Sequence, residues 1–215
     1  MTMIWQLALL SAFFSISACT PQGNPISKPQ PPGTEVLFDG TSLDGWEIAD
    51  FGGQGEISIL DGTVVLEYGD TLTGITWKGD FPRTNYEVSL EAMRVEGTDF
   101  FCGMTFPVRE SHCSLIVGGW GGPVIGISSI DGMDASENET NTLMRFERNR
   151  WYGIRLRVTG DLVQAWIDEE PVVDLDTTGR DVDIRPEVSL SRPFGIAAWV
   201  TTAALRNIVL RRLSD

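Results

Sequence analysis

The clearest feature of the sequence is a two-residue alternation of apolar and polar side chains. In residues 86–92 the apolar side chains stand at positions 86, 88, 90 and 92, with polar ones between them. Successive side chains of a β-strand point to opposite faces, so this segment predicts a strand between a core and water. No stretch of ten residues after Glu35 shows the period of an amphipathic helix. The pattern therefore predicts an all-β protein.

Short turns join several of the strand-like segments into predicted hairpins. Asp61-Gly62 separates two such segments, and this dipeptide tolerates the positive φ angles of a two-residue hairpin turn. Gly160-Asp161 separates another pair in the same way. The expected strands are residues 36–39, 56–60, 63–68, 72–78, 86–92, 100–106, 112–117, 124–130, 142–146, 151–159, 162–167, 194–201 and 205–213. Many short strands with Gly, Pro, Asn and Asp between them are typical of a two-sheet sandwich or jelly roll.

The residues before the first strand follow a different pattern. Residues 1–18 carry no charge, and their largely apolar run at positions 7–14 has the length of a secretory signal core. The run ends in Ile16-Ser17-Ala18-Cys19, which resembles the lipobox of bacterial lipoproteins, where the cysteine is lipidated and becomes the first mature residue. Residues 1–18 are therefore predicted to be a lipoprotein signal peptide. Plain cleavage without lipid and an ordinary buried element are the alternatives.

Residues 19–34 are predicted to be the lipidated Cys19 followed by a tether. Residues 20–33 contain five prolines and almost no apolar side chains, so they are expected to stay extended. Residues 35–215 are long enough to bury a core as one domain. We therefore expect an exported domain that the lipid anchors to the bacterial cell envelope, at the outer membrane or the periplasmic face.

The charge of the chain limits its partners. The formal net charge is −14, and it arises entirely after residue 18. Such a chain repels the phosphates of nucleic acids, so no nucleic-acid partner is expected. It also repels anionic lipid, so membrane attachment is expected to depend on the lipid at Cys19.

The cysteine count is odd until Cys19 is assigned to the lipid. Cys102 and Cys113 then form an even pair in an export-permissive setting. If the two faced each other on a hairpin they could form a cross-strand disulfide, and two reduced buried thiols are the alternative. No metal site is expected from these residues, because the chain lacks a C-x-x-C motif and has His112 as its one histidine.

Four segments carry a family resemblance. Residues 37–46, Leu-Phe-Asp-Gly-Thr-Ser-Leu-Asp-Gly-Trp, resemble an F-[ND]-G-x-x-L-x-G-W opening, and residues 59–62 resemble the hairpin that follows it. Residues 149–156 are similar to an E-W-N-x-x-x-I strand, and residues 195–208 to a closing G-x-I-G-L-Q … F-R-N-I segment. On these motifs residues 35–213 resemble the 3-keto-disaccharide hydrolase domain family. The resemblance implies a concanavalin A-like jelly-roll sandwich of two antiparallel sheets.

The resemblance also implies a carbohydrate partner and cleavage of a glycosidic bond in a sugar oxidised at C3. Elimination from such a sugar needs a base near C2 and an acid near the leaving oxygen. The candidates are Glu87, Glu91, Asp99 and His112. The two glutamates lie about 13 Å apart along one strand, farther than the roughly 5–9.5 Å of ordinary glycosidases. Each would therefore need a partner such as Asp99 or His112, and a solvated sheet face is the alternative for both glutamates.

Two segments depart from the family pattern. Residues 112–118 lack the acidic and amide groups of Y-E-x-Q-I-x-D, and residues 195–201 lack those of G-L-Q-x-H. A non-catalytic glycan-binding or adhesion module of the same fold is therefore the alternative function. Sugar binding needs an aromatic face, and the candidates are Trp77, Trp120 and Trp199.

No cofactor is required by these motifs. The acidic loop at residues 131–139 nevertheless offers oxygen ligands for Ca²⁺. A solvated acidic loop is the alternative.

Overall fold

The computed structural model describes residues 31–214, which form fifteen β-strands and one short 3₁₀ helix. The predicted signal peptide, the lipidated Cys19 and most of the predicted tether lie outside the described residues. No helix within residues 31–214 combines the length and apolar composition that crossing a bilayer requires.

The strands follow one another with short connections, except between β9 and β10 and between β13 and β14. In chain order they are β1 Thr34–Phe38, β2 Trp46–Ile48, β3 Ile57–Leu60, β4 Thr63–Leu66, β5 Leu72–Trp77, β6 Tyr86–Gly97, β7 Cys102–Val108, β8 Ser111–Gly119, β9 Val124–Ser128, β10 Thr142–Leu143, β11 Trp151–Thr159, β12 Leu162–Ile167, β13 Glu170–Asp176, β14 Phe194–Trp199 and β15 Thr201–Arg212. The 3₁₀ helix Pro186–Ser191 lies in the long connection between β13 and β14.

These strands form two antiparallel sheets. Sheet A has eight strands in the order β13-β12-β11-β6-β15-β4-β3, with β1 also paired to β15. Sheet B has seven strands in the order β10-β9-β8-β7-β14-β5-β2. Apolar side chains from both sheets form one buried cluster between them. The predicted jelly-roll sandwich of two antiparallel sheets is confirmed.

Strand β6 shows how the alternating pattern produces this packing. Tyr86, Val88 and Leu90 are buried, whereas the side chains between them lie on the outer face of sheet A. Burying a valine or leucine side chain contributes about 1.5–3 kcal/mol. The buried Tyr86 hydroxyl donates a 2.5 Å hydrogen bond to the carbonyl of Pro107 in sheet B, so its polar end is satisfied within the core.

The local turn chemistry agrees with the sequence. Asp61 and Gly62 have φ angles of 50° and 76°, and they join β3 to β4. The Gly160-Asp161 turn joins β11 to β12. Both predicted hairpins are confirmed.

Two strands are absent from the expected set, and several others have different bounds, among them β6, which continues to Gly97, and β15, which begins at Thr201. β2 was not predicted, because three residues are too few to show an alternation. β13 was not predicted either, because Glu170 and Pro171 hide the alternation that Val173 and Leu175 complete. β10 ends at Leu143 rather than at residue 146.

The predicted disulfide between Cys102 and Cys113 is wrong. Both thiols are free and buried. The register pairs Cys102 with Val117 and Cys113 with Phe106, so the cysteines stand four residues apart along the β7–β8 pair. That offset is about 13 Å along a strand, whereas a disulfide joins Cα atoms no more than about 7 Å apart. Burial raises the pKa of Cys102 to about 12 and raises that of Cys113 as well, so both are inert thiols.

The outer face of sheet A carries a network of ion pairs. The Glu87 carboxylate of β6 accepts hydrogen bonds from Arg157 on β11 at 2.7 and 3.0 Å and from Arg211 on β15 at 2.9 Å. Arg155 lies 3.5 Å from the same carboxylate. The Glu87 side chain is 11% exposed, so water cannot readily replace these partners. This carboxylate joins three strands of sheet A.

The free thiols can be counted directly. In a Cys19→Ser variant of the full chain, we expect Ellman's reagent to titrate no thiol under native conditions and two in denaturant. Addition of a reductant should leave the melting temperature unchanged, because no bond is broken. Fewer than two thiols in denaturant without reductant would show that the cysteines are oxidised.

The Glu87 network predicts a local contribution to stability. Glu87→Gln should lower the free energy of unfolding in urea by about 1.5–3 kcal/mol, the range for hydrogen bonds to charged groups. The matched control is Glu110→Gln, whose carboxylate is fully exposed and lies 4.0 Å from Arg83. It should change the free energy by less than about 0.5 kcal/mol. Equal effects of the two variants would contradict a structural role for the network.

Candidate functional site

The outer face of sheet B carries a row of very small side chains. Gly126 on β9, Gly103 on β7, Ala197 on β14 and Gly74 on β5 occupy facing positions, with Ile116 on β8 as the one larger member. This row leaves room for other segments to lie directly on the sheet. The opposite face of the same strands forms part of the main core.

A second row beside the first carries hydroxyl groups. Ser128, Ser114 and Thr105 face one another on β9, β8 and β7, and Thr76 on β5 follows across Gly195. The hydroxyl oxygens of Thr105 and Ser114 lie 2.9 Å apart and share a hydrogen bond. The face therefore offers a polar strip next to an apolar one.

Two connecting segments cover this face. Residues 129–141 lie over Gly126, where an added Cβ would sit 3.1 Å from the side chain of Ala135. Residues 177–193 lie over β5, where the carbonyl of Leu190 accepts a 2.8 Å hydrogen bond from a threonine. The space between the two segments becomes a pocket whose floor is sheet B.

Arginines of the second segment bind carboxylates of the first. Arg180 forms ion pairs with Asp131 and Glu139, and Arg185 forms one with Asp134. The hydrogen bond from Arg180 lowers the pKa of Glu139. These contacts hold the covering segments together above the sheet.

The same contacts bear on the calcium site proposed for residues 131–139. The carboxylates of Asp131, Asp134 and Glu139 are directed to arginines rather than to a common point. Within residues 31–214 no group of three or more His, Cys, Asp or Glu side chains could hold a metal ion. The loop therefore does not fit a calcium ion.

The pocket between the covering segments has a volume of about 190 Å³. Four large apolar side chains line it: Leu72, Phe100, Trp120 and Trp199. Two serines of the hydroxyl-bearing strip and two charged groups of the covering segment also line it: Ser114, Ser128, Arg185 and Glu187. A largely apolar lining with a few polar groups is typical of a site for a small polar ligand.

Asp99 stands at the edge of this pocket in a fixed orientation. One carboxylate oxygen accepts a 2.8 Å hydrogen bond from the backbone N–H of Phe100, and the other accepts one of 3.1 Å from Gly121. Its own N–H donates to the hydroxyl of Thr201 at 3.2 Å. No basic side chain of the described chain lies within salt-bridge distance of this carboxylate, so each oxygen keeps a lone pair for a ligand.

The second carboxylate of the pocket is paired. Arg185 donates to Glu187 at 3.0 Å and also forms an ion pair with Asp134. The hydrogen bonds that Arg185 donates to Glu187 lower the pKa of Glu187 and raise the pKa of Arg185. Ser128 donates to Asp134 at 3.0 Å, which links the network to the sheet. Glu187 is therefore ionised at neutral pH, and Arg185 presents a positive charge to the pocket.

The structure brings three of the residues singled out from sequence into one place. Asp99, Trp120 and Trp199 all line the pocket. Trp120 has a φ angle of 49° and is 42% exposed, which agrees with its position in a glycine-rich loop. Trp199 is the last residue of β14, and it is half-buried.

Three other candidates lie elsewhere. Glu87 and Glu91 are on the outer face of sheet A, on the opposite side of the core from the pocket. Glu91 accepts hydrogen bonds from Arg206 at 2.9 and 3.0 Å, which lowers the pKa of Glu91. Trp77 lies in the core, with its ring centroid 5.3 Å from that of Trp46.

His112 lies on the face of sheet B that carries the pocket but outside it. It stands two residues before Ser114 on β8, so both side chains point to the same side. Burial lowers the pKa of His112, and the charges of Arg83 and Arg192 lower it further. The imidazole is therefore neutral at pH 7.

The sequence did not single out Arg185, Glu187, Ser114 or Ser128. The serines belong to strands whose apolar residues dominate the pattern. Arg185 and Glu187 belong to the connection at residues 177–193. The length of this connection is the feature of the sequence that could have indicated a functional segment. Connections longer than about 12–15 residues in a small domain are uncommon and often functional.

Comparisons with known proteins agree with this architecture. The Crh5 transglycosylase in complex with NAG is 14% identical with a TM-score of 0.60, over 90% of this chain and 92% of that one. The carbohydrate binding module CBM66 from Bacillus subtilis is 13% identical with a TM-score of 0.53, over 78% and 95%. The Emp46p carbohydrate recognition domain is 12% identical with a TM-score of 0.57, over 86% and 96%. At these identities the likeness concerns the fold.

Comparison of the sequence itself is more specific. No curated protein matches the chain. The family model of the 3-keto-alpha-glucoside-1,2-lyase-like domain, in contrast, matches residues 33–211, which include every strand of both sheets except the final residue of the last one, Arg212. The chain belongs to the 3-keto-alpha-glucoside-1,2-lyase-like domain family.

Proposed function

We propose that this protein binds a 3-keto sugar in the pocket on sheet B and cleaves its glycosidic bond by elimination. The observation that carries the proposal is that the Asp99 side chain, Trp120, Trp199 and Arg185 line the same pocket. Membership of the family supports the reaction class. The volume of about 190 Å³ is below the roughly 300 Å³ of sites for drug-sized ligands, so the pocket suits one sugar ring.

The aromatic wall and the hydroxyl strip would position the ring. The apolar surface for the C–H face of a sugar ring would come from Trp120, Trp199 and Phe100. Such stacking does not depend on how the hydroxyl groups of the sugar are arranged. The hydroxyl of Ser114 and the free N–H groups of Arg185 also line the pocket, and Ser128 offers an acceptor because its proton is donated to Asp134. This arrangement would orient a pyranose with its edge towards the charged groups.

The reaction assigns a role to Asp99 and one to Arg185. Asp99 would take the C2 proton, and the electron pair of that bond would move towards the C3 carbonyl. The positive charge of Arg185 would stabilise the negative charge that develops on the C3 oxygen. The bond between C1 and the leaving oxygen then breaks, the leaving oxygen takes a proton from water at the mouth of the pocket, and water later adds to the double bond.

One observation favours a second function, sugar binding without cleavage. The pocket has no group poised as a general acid among the described residues, because Arg185 keeps Glu187 ionised and binds Asp134. Two of the structures with the same fold are named as a carbohydrate binding module and a carbohydrate recognition domain. Turnover distinguishes the two functions.

Export and anchoring form the remaining part of the proposal. The apolar run in residues 1–18 and the lipobox-like segment ending at Cys19 support a lipoprotein at the cell envelope. There the domain would meet sugars outside the cytoplasm.

The catalytic role of Asp99 predicts a loss of rate. With 3-keto-disaccharides as substrates and their unoxidised parents as negative controls, Asp99→Asn should lower kcat about 100-fold or more, the usual contribution of a general base. Its affinity for sugar should change much less, since the amide keeps the size of the side chain. The matched control is Asp80→Asn, whose carboxylate is 88% exposed and contacts Arg212. Full turnover by Asp99→Asn would exclude Asp99 as the base, and binding without turnover by the wild type would favour the binding module.

The anchor predicts a change in fractionation. Cys19→Ala should move the protein from the membrane fraction to the soluble fraction, because it removes the only proposed point of lipid attachment. The wild type should stay with the membranes after a high-salt wash and leave them in detergent, since the chain carries a net charge of −14 and binds anionic lipid poorly. Unchanged fractionation of Cys19→Ala would refute the anchor.

A further inference from the structure

Unpaired positive charge collects at one place on this acidic chain. Arg94, Arg145 and Arg148, here called the arginine cluster, have no carboxylate within 4 Å among residues 31–214. Of the other arginines in that range, Arg192 alone shares this property. The chain has 30 acidic and 16 basic residues, so arginines without a carboxylate partner are unexpected. Such arginines indicate that an anionic ligand, which is not part of this chain, binds there.

Arg94 is the most buried member of the arginine cluster, with 6% of the residue exposed. Its guanidinium donates to the carbonyls of Gly118 at 3.0 Å and Gly122 at 3.2 Å, and it lies 5.1 Å from the ring centroid of Phe101. Its Nε has no hydrogen-bond partner within the described residues. Buried charges in proteins are normally paired, because removal from water costs several kcal/mol.

An open cavity of about 340 Å³ lies against this guanidinium. Arg145 stands at its exposed rim and makes no hydrogen bond or ion pair with the described residues. Burial lowers the pKa of Arg94, the charge of the nearby Asp99 carboxylate raises it, and the charge of Arg148 lowers it. Pro123, Leu143 and the neighbouring apolar side chains form the rest of the cavity wall. The cavity thus combines positive charge with apolar surface.

This cavity adjoins the sugar pocket through one loop. Trp120 lines the sugar pocket, whereas Gly121 and Gly122, the next two residues, line the cavity of the arginine cluster. Arg94 binds the carbonyls of Gly118 and Gly122, so it holds the loop on both sides of Trp120. A sugar chain passing Trp120 would bring its next residue to the arginines.

We propose that the cavity of the arginine cluster binds the anionic group, a carboxylate or a sulfate, of an acidic sugar linked to the ring in the pocket. Guanidinium groups bind such anions through paired hydrogen bonds, and apolar side chains suit the C–H groups of the ring. The inference rests on the proposed function for the identity of the ligand as a sugar. The natural substrate class is then an acidic rather than a neutral glycan.

The test uses the full chain and reads binding rather than turnover. Glucuronate, inorganic sulfate and uncharged glucose are titrated separately while backbone amide signals are followed by NMR. Glucuronate should shift the signals of Gly121, Gly122 and Leu143 and bind at least about tenfold more tightly than glucose, an advantage that added salt reduces. Sulfate shifting the same signals would show that charge suffices, and shifts by glucuronate alone would assign the cavity to carboxylates.

Two variants and a matched control complete the test. Arg145→Gln lies at the exposed rim and should weaken glucuronate binding about tenfold, the usual effect of removing a charged hydrogen-bond partner. Arg94→Lys keeps the charge but loses the planar group, and it should weaken binding as well. Arg192→Gln removes an unpaired arginine elsewhere and should have no effect. If Arg94→Lys fails to fold, Arg145→Gln decides.

Glucuronate binding no tighter than that of glucose, or unchanged in Arg145→Gln, would overturn the inference. Those results leave the turnover of 3-keto-disaccharides unaffected, so the anion site and the proposed reaction can fail independently. If the anion binds but no 3-keto sugar is cleaved, the proposed reaction fails and the anion site remains.

Discussion

The outer face of sheet B has so little side-chain volume that two connecting segments can lie directly on it. Gly126 admits the segment at residues 129–141, and Gly195 admits the 3₁₀ helix, whose Ser191 carbonyl would lie 2.7 Å from an added Cβ. A larger side chain in either position would lift its covering segment from the sheet. The pocket depends on this constraint, because its floor is the sheet and its charged groups belong to the segments.

Ion pairs then hold the two covering segments in the position on sheet B that the glycines make possible. Arg180 and Arg185 reach from one covering segment to carboxylates of the other, which turns two separate connections into one cover. The same contacts satisfy the acidic loop that the sequence offered as a calcium site. Acidic residues that look like metal ligands in a sequence are here the partners of arginines that lie 41–51 residues away along the chain. The acidic residues of the first covering segment therefore serve to pair with arginines of the second, and these pairs form only when both segments lie on the sheet.

The sequence predicted the fold well because the fold depends on local patterns. The alternation in β6 and the turn residues Asp61-Gly62 each act within a few residues, and both appear as expected. The Cys102–Cys113 pair failed because a disulfide depends on register, which the alternation alone does not fix. A shift of four residues preserves the face of every side chain and separates the thiols.

The site was predicted only in part, for a related reason. Alternation shows which residues of a strand leave the core, but not which of the two outer faces will be covered. Glu87 and Glu91 fit the expected pattern of catalytic carboxylates and lie instead among arginines on sheet A. Asp99, named from the sequence as a possible partner of the two glutamates, and Trp120, which lies in a glycine-rich loop, both line the pocket. Arg185 has no local pattern at all, and only the folded arrangement brings it to the pocket.

A single loop, residues 118–122, connects the features that bear on function. Asp99 accepts a hydrogen bond from Gly121 in this loop, and Arg94 donates to carbonyls on both sides of Trp120. Gly118 makes this possible, because a Cβ there would come within 2.4 Å of the Arg94 guanidinium. The position of the Trp120 side chain in the pocket on sheet B therefore depends on a buried positive charge in the neighbouring cavity. An anion bound in that cavity would act on Trp120 through the backbone of five residues and would so couple the proposed anion site to the geometry of the pocket.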